Sequence, residues 1–515
     1  MGSEFTRRRF LGTMGAGVTY LALAGTAGCD LRGGVREGKL PEGGSSVGAA
    51  KVWPARNVVS APSGGAWSFR SRPDLHPPAV TVRTRKRGLE PGYVFVSPKL
   101  GRGEHGPMIV EDMGRPVWFR NGLYALNFRV QEYRGEPVLT WWEGKAKPRP
   151  SVGEYVILDG SYREVKRVQA GNGYKGNLHD FLITPRGTAL LTVYNLVGRD
   201  LSYLGGPVAG RVIEGVAQEV DIESGEVLFE WHSLDHVGVE ESYNKRYYSE
   251  QLDYFHINSI DVYDEDHLLV SARNTCTVYK IDRKTGDIIW RLGGKNSDFE
   301  MGEGTRTAFQ HDARRHEDGT ITIFDNGAGP QVHPQSRGIV LELDEDAMKA
   351  TLVRAYTHPD KLVSTSQGNM QVLPNGNVFI GWGSEPFVSE FSHDGELLFD
   401  AGIPPDDDSY RSFRFPWKGQ PAEAPAVAVG QESDEELTLF ASWNGATEVE
   451  SWEVLAGPYP DQLEPLGAIR RDGFETAISA RTAEPYVAVR AKGSSGQILS
   501  TSRPIKLGSK SGNRG

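Results

Sequence analysis

Three histidines sit at one place in a recurring pattern, and their spacing makes them the residues best suited to chemistry. His179 lies in Leu178-His179-Asp180-Phe181-Leu182-Ile183, His256 in Phe255-His256-Ile257-Asn258-Ser259-Ile260, and His311 in Gln310-His311-Asp312-Ala313. A fourth copy, Gln367-Gly368-Asn369-Met370-Gln371-Val372, carries no histidine. Imidazole serves as acid, base or nucleophile near neutral pH. Asn258 follows His256 by two residues, so on a strand the two share a face. Arg273 ends the next strand-like run, where its guanidinium can fork onto an oxyanion. Arg314 and Arg315 add positive charge beside His311. Asp180 and Asp312 are expected to orient neighbouring donors or to point away from the shared face. The set describes a site for an anionic substrate group. Two other readings stay open on these residues alone. Three imidazoles can ligate zinc with an open fourth position, and a repeat histidine can simply hydrogen-bond its neighbours.

These residues lie far apart in sequence and meet only if the fold superimposes the repeats. A second pattern shows how. Glu111 to Phe119, Asp221 to Phe229, Asp282 to Trp290 and Ser392 to Phe399 each read strand, Asp/Gly turn, strand. Repeats of about 40–50 residues built from short strands are the signature of propeller blades, whose inner strands face one another across an axis. The expected fold is all-β, a six-bladed β-propeller over residues 106–500 preceded by a small strand-rich segment at 69–105. The strand-like runs after Trp417 would complete the ring, and residues 501–515 read as a polar tail. A pair of β-sandwiches is the competing architecture. Tyr243 to Tyr254 is aromatic and charged, and reads as an insertion over the channel mouth, with Tyr254 shaping an aromatic substrate site. A plain surface loop is the alternative. Trp382 and Trp417 read as core or rim aromatics, and Asp406, Asp407 and Asp408 as a solvated turn.

The N-terminus bounds location. Thr6-Arg7-Arg8-Arg9-Phe10-Leu11 is a twin-arginine pattern, followed by a short apolar stretch and Thr26-Ala27-Gly28-Cys29. Residues 1–29 read as an export signal ending at a lipoprotein-type Cys29, and residues 30–68, rich in Gly, Ser, Pro and Ala, as a flexible tether. Membrane contact is expected through that lipid alone. The only other cysteine is Cys276, so no disulfide is available to the mature chain. With 57 basic against 67 acidic residues and a net charge of -10, nucleic acid is excluded as the expected partner.

His179, the His256-x-Asn258 pair, Arg273 and the Gln310-His311 step, in that order and on repeats of this length, resemble the bacterial arylsulfate sulfotransferase family of six-bladed propellers. The resemblance covers roughly residues 70 to 500. It implies a sulfuryl transfer from aryl sulfate esters to phenols, with no nucleotide sulfate donor, no cofactor and no metal. It also implies His311 as the nucleophile, with His179, His256, Asn258 and Arg273 binding the sulfate and serving the leaving group. The well-studied periplasmic members carry a disulfide that this chain cannot form, which places it in a divergent, lipoprotein-like branch. The competing functions are another propeller enzyme acting on an aromatic or anionic substrate, and a non-enzymatic binding propeller at the cell surface. Globomycin-sensitive processing at Cys29 and a membrane-associated mature form are the expected outcome of N-terminal analysis. A soluble form that starts elsewhere would contradict the lipoprotein reading.

Overall fold

In the computed structural model, residues 51–508 are described apart from 56–64, 102–103, 148–149, 246, 249 and 434. The twin-arginine segment, Cys29 and most of the 30–68 tether lie outside the described residues.

The described chain is all-β and propeller-like, built from short antiparallel strands in consecutive runs of four. One run is Ala125–Tyr133, Glu136–Lys145, Val152–Leu158 and Glu164–Val168. The next is Gly176–Ile183, Thr188–Arg199, Gly210–Asp221 and Val227–His232. Then come Ile257–Val262 through Ile288–Gly293, His311–Arg315 through Lys349–Thr357, and Asn369–Val372 through Leu397–Gly402. A further sheet joins two ends of the chain: Phe413–Phe415 pairs with Tyr93–Val96, which continues into Met108–Val110 and Pro116–Phe119. The strand–turn–strand repeats of the sequence connect the third and fourth strands of their runs. There the turn needs a left-handed residue, and Gly225 and Gly286 supply it at φ 74° and 79°. The histidine-bearing pattern always marks a first strand.

The inner strands of each sheet are buried on both faces, while outer strands such as Lys349–Thr357 alternate between buried and exposed residues. Leu126 and Tyr155 pack against Phe181 and Val216, Leu190 and Ala217 against Ile260 and Val270, and Leu269 and Trp290 against Ala313 and Ile339. Phe324 meets Met370 and Trp382, Phe379 and Phe399 meet Val94 and Met108, and Phe95 and Trp118 meet Phe128 and Trp141. Trp382 and Trp417 are both core residues.

The expected boundaries differ from the strand pairing. The strands after Trp417 do not extend these runs. Ala426–Gln431, Glu436–Ser442 and Glu475–Arg481 form one sheet, and Ser451–Tyr459, Gln462–Arg470, Tyr486–Lys492 and Ile498–Thr501 form a second. Their shared core holds Leu439, Trp452, Val454, Ile478 and Val489, so the two sheets make a separate sandwich. The physical reason is that these strands pair with one another and bury their apolar faces against each other rather than against the earlier runs. Within the tether, Val52–Pro54 is an edge strand of that sandwich, and within the tail Ile505–Lys506 pairs with Tyr486–Val487. Thr81–Arg85 adds to the edge of Leu397–Gly402, so the 69–105 segment divides between two sheets.

First strands are cross-linked by a buried ionic knot. Asp180 accepts from Arg411 at 2.8 Å and from Arg314 at 2.7 Å, and Asp312 pairs with Arg314 at 2.8 Å. Arg411 also donates to the Asn258 carbonyl at 2.8 Å, and Asp180 accepts the Ile260 amide at 3.1 Å. Despite burial, the neighbouring guanidinium groups of Arg314, Arg411 and Arg129 hold the Asp180 carboxyl well below the usual carboxylate range. Removing one partner of such a knot strands uncompensated charge. Asp180→Asn is therefore expected to lower unfolding free energy by about 3–5 kcal/mol in urea titrations at neutral pH. Because the folded value is depressed, the contribution is full above the unfolded carboxylate value of ~3.9 and is lost only as pH falls through the folded one.

Candidate functional site

The three histidines converge. His179 lies within the strand Gly176–Ile183 and His311 opens the strand His311–Arg315. His256 immediately precedes Ile257–Val262, in a left-handed conformation at φ 60°. Each of these strands carries a register shift at the histidine end, between Gly176 and Phe181, Ile257 and Ser259, and His311 and Arg314. Such bulges re-aim side chains out of regular alternation. The result is a cavity of about 280 Å³ lined by all three imidazoles. That is at the small end of ordinary ligand pockets, which span about 300–1,000 Å³. Tyr124, Tyr194 and Tyr410 with Leu126, Leu178 and Ile213 form its less polar wall, and Asp253, Lys99 and Gln367 are among its polar lining. It has the dimensions and lining of a site for one aromatic ring bearing a polar group.

The hydrogen bonds fix which nitrogens carry protons. His311 is almost wholly buried, and its Nδ1 lies 2.7 Å from Asn326 Oδ1. The Asn326 amide cannot present its nitrogen there, because Nδ2 already donates to the carbonyls of Ser364 at 3.1 Å and Gln367 at 3.0 Å. His311 Nδ1 therefore carries the hydrogen and Nε2 keeps its lone pair, which accepts only a long bond of 3.3 Å from the Gln367 amide. Burial, with the Arg273 guanidinium and His256 nearby, holds the imidazole well below the ordinary histidine range. His311 is a neutral imidazole with an available Nε2, the form a nucleophile needs.

His179 and His256 form a pair with a different proton inventory. Their Nε2 atoms are 3.1 Å apart. His256 Nδ1 donates to Asp253 Oδ2 at 2.5 Å. His179 Nδ1 donates to Asn177 Oδ1, whose amide nitrogen is committed to Ser151 Oγ at 2.8 Å. With both Nδ1 atoms protonated, the Nε2–Nε2 contact requires one more hydrogen between them. A proton bridging the two Nε2 atoms would lie one ring away from the Asp253 carboxyl. His179 also stacks on Tyr194, with ring centroids 4.9 Å apart.

Other sequence-predicted residues are placed elsewhere. Asn258 is buried and its Nδ2 donates to the Gln310 carbonyl at 2.7 Å, tying two first strands rather than facing the cavity. Arg273 leaves the strand His267–Ala272, lies over the Phe309 ring at 4.9 Å and donates to Asn274 Oδ1 and the Thr365 carbonyl. It is not among the cavity-lining residues, although its charge reaches His311. Arg314 belongs to the ionic knot. Tyr254 is fully buried in the core, with its hydroxyl donating to Ser233 Oγ at 2.7 Å, so it shapes no substrate surface. Asp180 and Asp312 hold neighbouring donors, and these are guanidinium groups rather than the histidines. They bind Arg411 and Arg314. Asp407 and Asp408 are buried rather than solvated, because Asp408 pairs with Lys99 and Asp407 accepts the Lys99 and Leu100 amides.

Sequence reasoning missed Asn326, Asp253, Tyr194, Tyr410, Lys99 and Gln367. Asp253 was the most accessible, since its spacing of three from His256 suits a supporting carboxylate. Among the described residues no group of three or more His, Cys, Asp or Glu side chains is arranged to hold a metal ion. The His311 geometry has a spectroscopic consequence. In pH-dependent imidazole NMR, His311 is expected to remain the neutral Nδ1–H tautomer while pH falls through the ordinary histidine value of ~6.5. Titration of His311 near that value would contradict the burial and Asn326 bonding described.

The arylsulfotransferase (ASST) family model matches residues 129–403, more than half of the chain and a span that contains all three histidines. No curated protein matches. Among solved structures, a protein of unknown function from Bacteroides caccae is 14% identical with a TM-score of 0.39, covering 63% of this chain and 100% of its own. The β-propeller domain of Myceliophthora thermophila Cps50 (Swd1) is 15% identical with a TM-score of 0.33, over 61% of this chain and 96% of that one. A virginiamycin B lyase variant from Staphylococcus aureus is 8% identical with a TM-score of 0.33, over 71% and 97%. On the extent of the family match, the chain belongs to the arylsulfotransferase family.

Proposed function

We propose that this protein is an aryl sulfotransferase that uses no nucleotide sulfate donor and works through a sulfohistidine at His311. The observation that carries the reading is the convergence, in one cavity, of an unprotonated His311 Nε2 with the 3.1 Å Nε2–Nε2 contact of His179 and His256, where a proton can be held. In the first half-reaction the Nε2 lone pair attacks the sulfur of an aryl sulfate. The N–S bond forms as the S–O(aryl) bond breaks, and the departing oxygen takes the proton held by the His179–His256 pair. In the second half-reaction a phenol oxygen attacks the same sulfur, its proton returns to the histidine pair, and the N–S electron pair returns to Nε2. Atoms and charge balance over the cycle without a cofactor. Arg273 supports the sulfuryl transfer by its positive field on His311.

The same reading takes the runs of four strands as six blades closed into a ring. Its support is the chain of shared cores, in which the sheet holding Phe413–Phe415 packs against both the last and the first run. Export by the twin-arginine route and anchoring through a lipid on Cys29 belong to the proposal as well. They are supported by the N-terminal sequence and by the absence of any need for a disulfide.

Rapid mixing with nitrophenyl sulfate is expected to give a phenol burst stoichiometric with enzyme, with turnover restored by an added phenol and ping-pong kinetics overall. His311→Asn should abolish the burst while the protein stays folded, and Arg273→Ala should slow it without removing it. His256→Gln should reduce the burst rate by about 10²–10⁴-fold, as loss of a general acid does. No burst and no transfer across a broad panel of aryl sulfates and phenols would overturn the reading.

A further inference from the structure

Tyr410 lines the same cavity, is 3% exposed, and carries a polar atom whose placement is costly unless something binds. Its hydroxyl is buried and has no hydrogen-bond partner among the described residues. A buried, unsatisfied hydroxyl lowers stability relative to phenylalanine, which would fill the same space. The ring is held in place from both sides of its backbone. The Gly368 amide donates to the Tyr410 carbonyl at 3.0 Å, and Arg411, the next residue, is locked to Asp180 at 2.8 Å. The ring stands edge-on to His179, with centroids 5.7 Å apart, beside the Nε2–Nε2 contact that stores the proton. His311 Nε2 is met instead by the Gln367 amide. The sulfuryl end of a substrate belongs at His311, so the ester oxygen belongs toward the His179–Tyr410 side.

We propose that the Tyr410 hydroxyl donates a hydrogen bond to the phenolic oxygen of the sulfate ester in the first half-reaction and of the acceptor phenol in the second. This assignment rests on the sulfotransfer reading and names the residue that recognises the oxygen being broken or made. The bond strengthens as negative charge gathers on that oxygen, so it acts on the transition state more than on the bound ester. The proton stays on Tyr410. Burial raises its hydroxyl above the ordinary tyrosine range, so it remains a donor throughout and leaves the transfer to the histidine pair. The demand for the bond grows with the basicity of the leaving phenolate, which makes Tyr410 a determinant of which aryl sulfates are used. With Tyr410, esters of weakly acidic phenols become substrates alongside activated nitrophenyl esters.

Tyr410→Phe tests this with two readouts. The burst rate is measured for wild type and variant over a series of phenyl sulfates of graded phenol acidity, from nitrophenyl to methoxyphenyl. The expected result is a loss that grows along the series, reaching about 100-fold for the least acidic phenols, with KM little changed. A loss equal for every ester, or none, while wild type remains active would overturn the proposal and leave the sulfotransfer reading standing. If wild type itself releases no phenol from any ester, the underlying reading fails, and this assignment fails with it. Thermal unfolding of the ligand-free variant is the second readout. Tyr410→Phe should melt at the wild-type temperature or above it, because no protein hydrogen bond is lost. A clearly lower melting temperature would mean that the hydroxyl serves the fold, and would also overturn the proposal.

Discussion

The site depends on the buried knot of Asp180, Asp312, Arg314 and Arg411. Three of the cavity residues are sequence neighbours of its members: His179 precedes Asp180, His311 precedes Asp312, and Tyr410 precedes Arg411. The backbone at each step sends the first side chain to the cavity and the second to the knot. Once the carboxylates and guanidinium groups pair at 2.7–2.8 Å, the strands that carry them have fixed relative heights. His179 and His311 are then held at one cavity, where His179 reaches His256 at 3.1 Å and the His311 ring centroid lies 6.4 Å from that of His256. Buried ion pairs add little net stability compared with apolar packing, but breaking them is costly, so they suit a structure that must hold one register. The apolar faces between sheets supply the stability, and the knot supplies the alignment.

From that alignment the electrostatics follow. The imidazoles differ in the partner of each Nδ1. His311 faces a neutral amide, Asn326, and is buried near Arg273, so it stays neutral. His256 faces the Asp253 carboxyl instead, the partner that the proposed proton-donor role calls for. Separating nucleophile and acid in this way lets one residue type fill both roles at a single pH. Lys99, held by Asp408 and by Gln367 Oε1 at 2.6 Å, keeps a further positive group at the cavity wall.

How much of this was legible in the sequence can be traced residue by residue. The all-β class and the first-strand placement of His179, His256 and His311 followed from period-two runs, turn residues and the recurrence of one pattern. Those signals are local. The knot was not legible, because Arg411 belongs to a segment with no repeat signature and its partners lie 231 and 153 residues away in sequence. Asn326 sits in Asp325-Asn326-Gly327, a composition that announces a turn. Nothing local shows that its amide fixes the tautomer of an imidazole 15 residues earlier. Asn258 was read by strand alternation as facing the substrate, and the bulge beside His256 broke that alternation; Arg314 was read from its place beside His311, and its charge goes to the knot instead. The strands after residue 426 look like blade strands because a sandwich strand and a blade strand share one pattern. Only their pairing distinguishes them.

The central claim is that one of the three imidazoles, the neutral one, forms the bond to sulfur. Peptide mass mapping after reaction with an aryl sulfate, under alkaline quench to preserve an acid-labile N–S bond, tests it most directly. A sulfuryl group confined to the peptide bearing His311, and discharged by a phenol acceptor, is the predicted result. A group found on His179 or His256 instead, or phenol release with no modified histidine at any time, would contradict it.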